Sequence, residues 1–233
     1  MPGWFVMWAM AFAAIGLGKL AMLRLHEGTS WAWLLGWPGM DPVRFHRAPA
    51  LRPDIHEANG AWMRVAAGAL LIWGVGGPWA GLLGLGLLLH FGIVHLLSIH
   101  WRLRGYDARP LFEGVLSARS LGEFWGRRWN RAFADFTGRW IYRPLAPRIG
   151  ARAAVVTVFL ASGVGHDLLL SVPARGGYGL CTLYFLIQAA GVLIERRRRS
   201  RLRTACVVIA PLPLLFHTPF IENVLVPFLE VIS

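Results

Sequence analysis

From Trp4 to Leu23 the chain runs with a single charged side chain, Lys19. A helix of about twenty apolar residues matches the roughly 30 Å hydrocarbon thickness of a bilayer. Comparable runs recur at 62–77, 78–100, 153–172 and 178–195, and a last one from Thr204 is interrupted by Pro211, Pro213, Pro219 and Pro227. Pro78, after Gly76-Gly77, makes the second and third runs a helical hairpin. The pattern predicts an all-α polytopic membrane protein of about six to seven transmembrane helices plus an interfacial amphipathic helix. Charged residues are only 15% of the chain, against roughly 25% in a soluble domain, which excludes disorder and speaks against a water-soluble globule. No basic residue precedes the first run, the reverse of a secretory signal, so it reads as a retained helix with its N-terminus outside.

Charge fixes the expected topology. Lys and Arg total 24 against 12 acidic residues, and Lys19 is the only lysine. The arginines collect in segments 24–60, 101–152 and 196–203, which alternation of the spans places on one side. The positive-inside rule makes that side cytoplasmic, in an inner (cytoplasmic) membrane. The apolar spans leave no water-facing groove for nucleic acid, so the partners expected are membrane lipids. Trp31, Trp33 and Trp37 read as interfacial anchors. The glycines from Gly74 to Gly86 read as close helix packing through Gly77-xxx-Gly81. Cys181 and Cys206 lie in apolar runs without metal spacing, and His90, His95 and His100 recur every five residues, which scatters them around a helix. No metal site is expected.

Chemistry has two places to live. Ser120-Leu121-Gly122-Glu123 is a capping box. A single helix from there to Trp140 places Phe124, Trp125, Trp129, Ala132, Phe133, Phe136 and Trp140 on one half, and Glu123, Arg127, Arg128, Asn130, Arg131, Asp135 and Arg139 on the other. This is the pattern of an amphipathic interfacial helix. The second place is Ala161-Ser162-Gly163-Val164-Gly165-His166-Asp167, inside the 153–172 run. An ionisable side chain at membrane depth costs roughly 2.5–3.5 kcal/mol and marks a functional site by default. Ser162 and Gly163 precede His166 by one turn and leave a notch for a substrate or a neighbouring helix. A neutral imidazole there is a candidate general base. Asp167, about 100° further round, need not be its relay partner.

The block Ser120-Leu121-Gly122-Glu123-Phe124-Trp125-Gly126-Arg127-Arg128-Trp129-Asn130, followed by Ser162-Gly163-Val164-Gly165-His166, resembles the membrane-bound O-acyltransferase superfamily, in particular its wax synthase-like branch. Trp37-Pro38-Gly39-Met40-Asp41 is similar to that branch's upstream block. The resemblance implies that residues 1–233 form one membrane-embedded acyltransferase domain, short at its N-terminus for the family. It implies no bound cofactor, with acyl-CoA as co-substrate and a hydroxyl compound as acceptor. His166 is matched to the family's catalytic base and Asn130 to its asparagine. Arg127, Arg128 and Arg131, with Trp125, Trp129 and Ser162, are the substrate-binding candidates. The chain's brevity raises a partner chain or homo-oligomer. The alternatives are a transporter or channel subunit with a His166/Asp167 proton or ion site, and a non-catalytic scaffold.

Overall fold

A computed structural model describes residues 1–24, 28–195 and 200–232. The run Arg196-Arg197-Arg198-Arg199 of the expected cytoplasmic loop falls outside them. The described residues form helices, in chain order α1 (Gly3–Leu23), α2 (Trp31–Gly36), α3 (Pro42–Phe45), α4 (55–75), α5 (Pro78–Leu103), α6 (121–128), α7 (131–149), α8 (Ala151–Ala174), α9 (Leu180–Ile194), α10 (Arg201–Leu215) and α11 (Thr218–Ile232). The all-α membrane architecture stands. Among the described residues α1, α5 and α8 are long and apolar enough to cross a bilayer, and α10 with α11 makes a fourth crossing if that pair, bent by 65°, is one span. Two segments expected to cross fall outside that group. Helix α4 carries Glu57 and Arg64, and α9 has 15 residues, about 22 Å of helix.

The hairpin of α4 and α5 turns at Gly76 (φ 73°) and Gly77 (φ 84°), left-handed positions that glycine takes without strain, with Pro78 opening α5. The close approach is not made by Gly77-xxx-Gly81 as expected, because Gly77 lies in the turn. Gly68 of α4 meets Gly84 of α5 instead: a Cβ on either would lie within 3 Å of the other's carbonyl oxygen. Gly81 receives Leu229 of α11.

Buried polar groups tie the helices together, since hydrocarbon offers no alternative partner. Lys19, 2% exposed, donates from Nζ to the carbonyl oxygens of Trp33 (2.9 Å), Trp37 (2.6 Å) and Gly39 (2.7 Å), and lies 3.6 Å from the Trp33 ring centre. All three ammonium protons are thereby used. The cage anchors α1 to the Trp37-Pro38-Gly39-Met40-Asp41 segment, and Met40 packs against Gly18. The interfacial reading of the tryptophans is corrected for Trp33 and Trp37, which are buried in the cage, while Trp31 is exposed. On the hairpin, Glu57 Oε1 accepts from His95 Nε2 (2.8 Å) and from Arg102 Nη2. Burial pushes the Glu57 carboxyl up, but these two partners outweigh it and hold the group below the usual carboxylate range.

Replacing Lys19 by Met keeps the stem but orphans three buried carbonyls. Unfolding of the purified protein in detergent should show a loss of about 3 kcal/mol. An unchanged unfolding midpoint would mean that the cage does not hold α1.

Candidate active site

The 120–140 segment is not the one helix that its periodicity suggests. Helix α6 starts on the Ser120 cap, whose Oγ accepts from Glu123 N (3.0 Å), and stops at Trp129, which is extended (φ −101°, ψ 127°). Asn130 follows in the left-handed region (φ 40°, ψ 64°) and caps α7, its Oδ1 accepting from Phe133 N (3.2 Å). Asparagine tolerates this conformation better than other side chains carrying a Cβ. Asn130 is thus the corner between two helices and not a residue on a continuous polar face. The periodicity missed the break because Trp129 and Asn130 fit a helical wheel by chemistry while breaking the helix by backbone conformation.

The break turns the two tryptophans in different directions. Trp125 meets Phe159 of α8 and Tyr184 and Phe185 of α9, and its Nε1 donates to Gln188 Oε1 (3.3 Å). Trp129 stacks on Phe124 (5.6 Å, 11°) and meets Phe112 and Phe91 edge-on. Segment 124–130 therefore joins two aromatic clusters, one around α1, α5 and the Trp37 block, the other between α8 and α9.

His166 lies in α8. Its Nδ1 is 2.8 Å from the Ser162 carbonyl oxygen. A carbonyl only accepts, so Nδ1 carries the proton, and in the neutral ring Nε2 keeps its lone pair. Nε2 has no hydrogen-bond partner among the described residues. The ring lies on Phe185 at 4.6 Å between centres, and Phe185 meets Trp125 at 5.6 Å. Ser162 contributes its backbone oxygen, while its Oγ donates to Val158 O (2.9 Å). The notch beside it holds a neighbouring helix: a Cβ on Gly163 would strike the Thr182 backbone of α9. Asp167 is not the relay partner of His166. Its Oδ1 accepts from Ser171 Oγ (2.8 Å) and Gly179 N (3.0 Å), and its Oδ2 from Thr182 N (3.1 Å) and Thr182 Oγ1 (2.5 Å). The carboxylate clamps α8 to the start of α9.

Helix α7 bends tightly into α8 at Gly150 (φ 85°), and residues 138–149 pack back along α8. At about 1.5 Å per residue His166 stands roughly 24 Å from that turn and Asn130 roughly 30 Å. The hairpin thus carries both residues towards the same end, although no hydrogen bond joins them among the described residues.

The three arginines diverge. Arg128 is paired with Glu123 (2.6 Å) and donates to the Gly114 carbonyl. Arg131 is paired with Glu113 (3.0 Å) and bonds the Arg127 and Pro110 carbonyls. Both brace the 110–114 loop against the break, and of the three only the exposed Arg127 has no side-chain partner among the described residues. Sequence reasoning missed Gln188, which is fully buried, accepts from Trp125 and donates from Nε2 to Val207 O (2.8 Å). As the lone amide in the apolar α9, it was open to the argument that singled out His166.

Residues 108–188 match the model of the Membrane bound O-acyl transferase family. Diacylglycerol O-acyltransferase 1 of Arabidopsis thaliana is 33% identical over 138 residues, covering 58% of this chain and 24% of that protein. Long-chain-alcohol O-fatty-acyltransferase of Simmondsia chinensis is 27% identical over 124 residues, covering 45% of this chain and 35% of its own. The chain therefore spans about a quarter to a third of the length of these curated relatives. Both blocks that carried the resemblance, 120–130 and 162–166, lie inside the matched segment. The chain is related to the membrane bound O-acyl transferases and is an integral membrane protein.

The corner at Asn130 has its own test. Asn130→Ala loses both the cap and a side chain suited to left-handed backbone, and should destabilise the protein by roughly 1–2 kcal/mol, whereas Asn130→Gly should cost only a few tenths. Equal losses on thermal unfolding would contradict the conformation described.

Proposed function

We propose that this chain is the core of an O-acyltransferase that moves an acyl group from a thioester donor, acyl-CoA, to the hydroxyl of a lipid-soluble alcohol. The observation that supports it most is His166 itself, whose Nδ1 is held by the Ser162 carbonyl so that the neutral ring offers Nε2 as a base, and whose ring packs on Phe185. Its place within the matched segment adds to this. His166 Nε2 takes the acceptor hydroxyl proton as that oxygen attacks the thioester carbonyl carbon. The C–S bond breaks, the ester C–O bond forms, and the imidazolium returns the proton to the departing thiolate. Transfer is direct, without an acyl-enzyme. Asn130 keeps its Nδ2 protons free of hydrogen bonds among the described residues. It serves as a donor to the thioester oxygen, where negative charge develops. Trp125 and Trp129 wall the acyl path, and Arg127 is the arginine left for the donor's phosphates.

The relatives named above act on diacylglycerol and on long-chain alcohols. A long-chain alcohol, giving a wax-type ester, is the acceptor we favour. The side of the membrane at which the arginine-rich segments emerge is taken as cytoplasmic, where the donor is found, and any further segment or partner chain would complete the chamber around His166.

The test compares lipid extracts from cells expressing this chain or His166→Ala at matched membrane level, by mass spectrometry. An ester formed by the first should fall by a factor of about 10² to 10⁴ with the second, the range for losing a general base. The same ester at the same level from both would remove His166 from the mechanism.

A further inference from the structure

The charge balance around α7 does not close. Among the described residues the carboxylates near this helix have arginine partners: Glu113 with Arg131 at 3.0 Å, Glu123 with Arg128 at 2.6 Å, and Asp135 at 3.8 Å from Arg44, which it shares with Asp41 at 3.9 Å. Burial, with the neighbouring Asp41 charge, pushes the Asp135 carboxyl up against the opposing charges of Arg44, Arg131 and Arg143. What remains is Arg139, Arg143, Arg148 and Arg152, spread over α7 and the first turn of α8. All four are exposed, and none makes an ion pair or side-chain hydrogen bond among the described residues. Exposed apolar groups lie among them, Trp140 and Ile149.

Two contacts set their place along the first span. Trp140 Nε1 donates to Met22 Sδ (3.2 Å), in the last turn of the spanning helix α1. One turn earlier in each helix, Phe136 lies beside Gly18. Trp140 thus stands where the first span ends, the depth at which tryptophan favours the headgroup boundary. Arg139 is next to it, Arg143 and Arg148 follow towards the Gly150 turn, and Arg152 stands just past that turn in α8. A row of exposed guanidinium groups without ion pairs among the described residues, Arg143 alone feeling the charge of Asp135, with an aromatic ring beside it, matches the phosphate layer of a leaflet.

We propose that Arg139, Arg143, Arg148 and Arg152 form a collar that binds the phosphate headgroups of anionic phospholipids and seats α7 in the membrane. The collar is independent of the acyl-transfer reading. It would act on the site all the same, because α7 begins at Asn130 and runs directly into the helix that carries His166.

The test uses the full chain purified in a neutral detergent and offered equal amounts of phosphatidylglycerol and phosphatidylcholine, with bound lipid weighed by native mass spectrometry. The protein should retain phosphatidylglycerol in preference by roughly tenfold or more. Replacing the four arginines together by Gln should abolish the preference without moving the thermal midpoint, and replacing them by Lys should keep most of it. A preference that survives the Gln variant overturns the proposal. So does displacement of the lipid by saturating free coenzyme A, which would assign these arginines to the donor's phosphates.

Discussion

The Asp167 carboxylate accepts four hydrogen bonds, three of them from Gly179 and Thr182 at the start of α9. Within a membrane such a charge persists only if the protein replaces the whole of its hydration. Satisfying it forces α9 against α8, and Gly163 permits the contact by presenting no side chain to Thr182. Once these helices are locked, Phe185 falls on the His166 ring and Gln188 falls where it holds the Trp125 indole. The position of the candidate base thus follows from its neighbour in sequence, although the two side chains do not touch.

The same logic repeats elsewhere. Lys19 uses all three protons on carbonyls of the Trp33–Gly39 stretch, so an apolar helix gains a fixed attachment that van der Waals packing alone would leave free to slide. Arg128 and Arg131, with Glu123 and Glu113, brace the break at Trp129–Asn130 from the 110–114 loop. That bracing lets one peptide turn sharply enough to send Trp125 towards α8 and α9, and Trp129 towards α5.

Much of this was legible in the residues. The spans at 4–23 and 153–172, the turn at Gly76-Gly77-Pro78 and the isolated His166 rest on length, glycine and hydropathy, and these signals are local. What escaped depends on partners distant in sequence. The wheel that joined Ser120 to Trp140 assumed a continuous backbone, and only the loop at 110–114, reached through Arg128 and Arg131, shows why the helix stops. Trp33 and Trp37 read as surface anchors until Lys19, many residues earlier, claims their carbonyls. The notch at Ser162-Gly163 was visible, but whether it held substrate or helix depended on Thr182.

The central claim is that His166 presents a neutral, unprotonated Nε2. Nitrogen NMR of the chain carrying ring-labelled histidine, with His166→Gln used to assign the signal, reads that state directly at neutral pH. The account predicts a pyrrole-type resonance for Nδ1 and a pyridine-type resonance for Nε2. A proton on Nε2, in either the other tautomer or a doubly protonated ring, would contradict it.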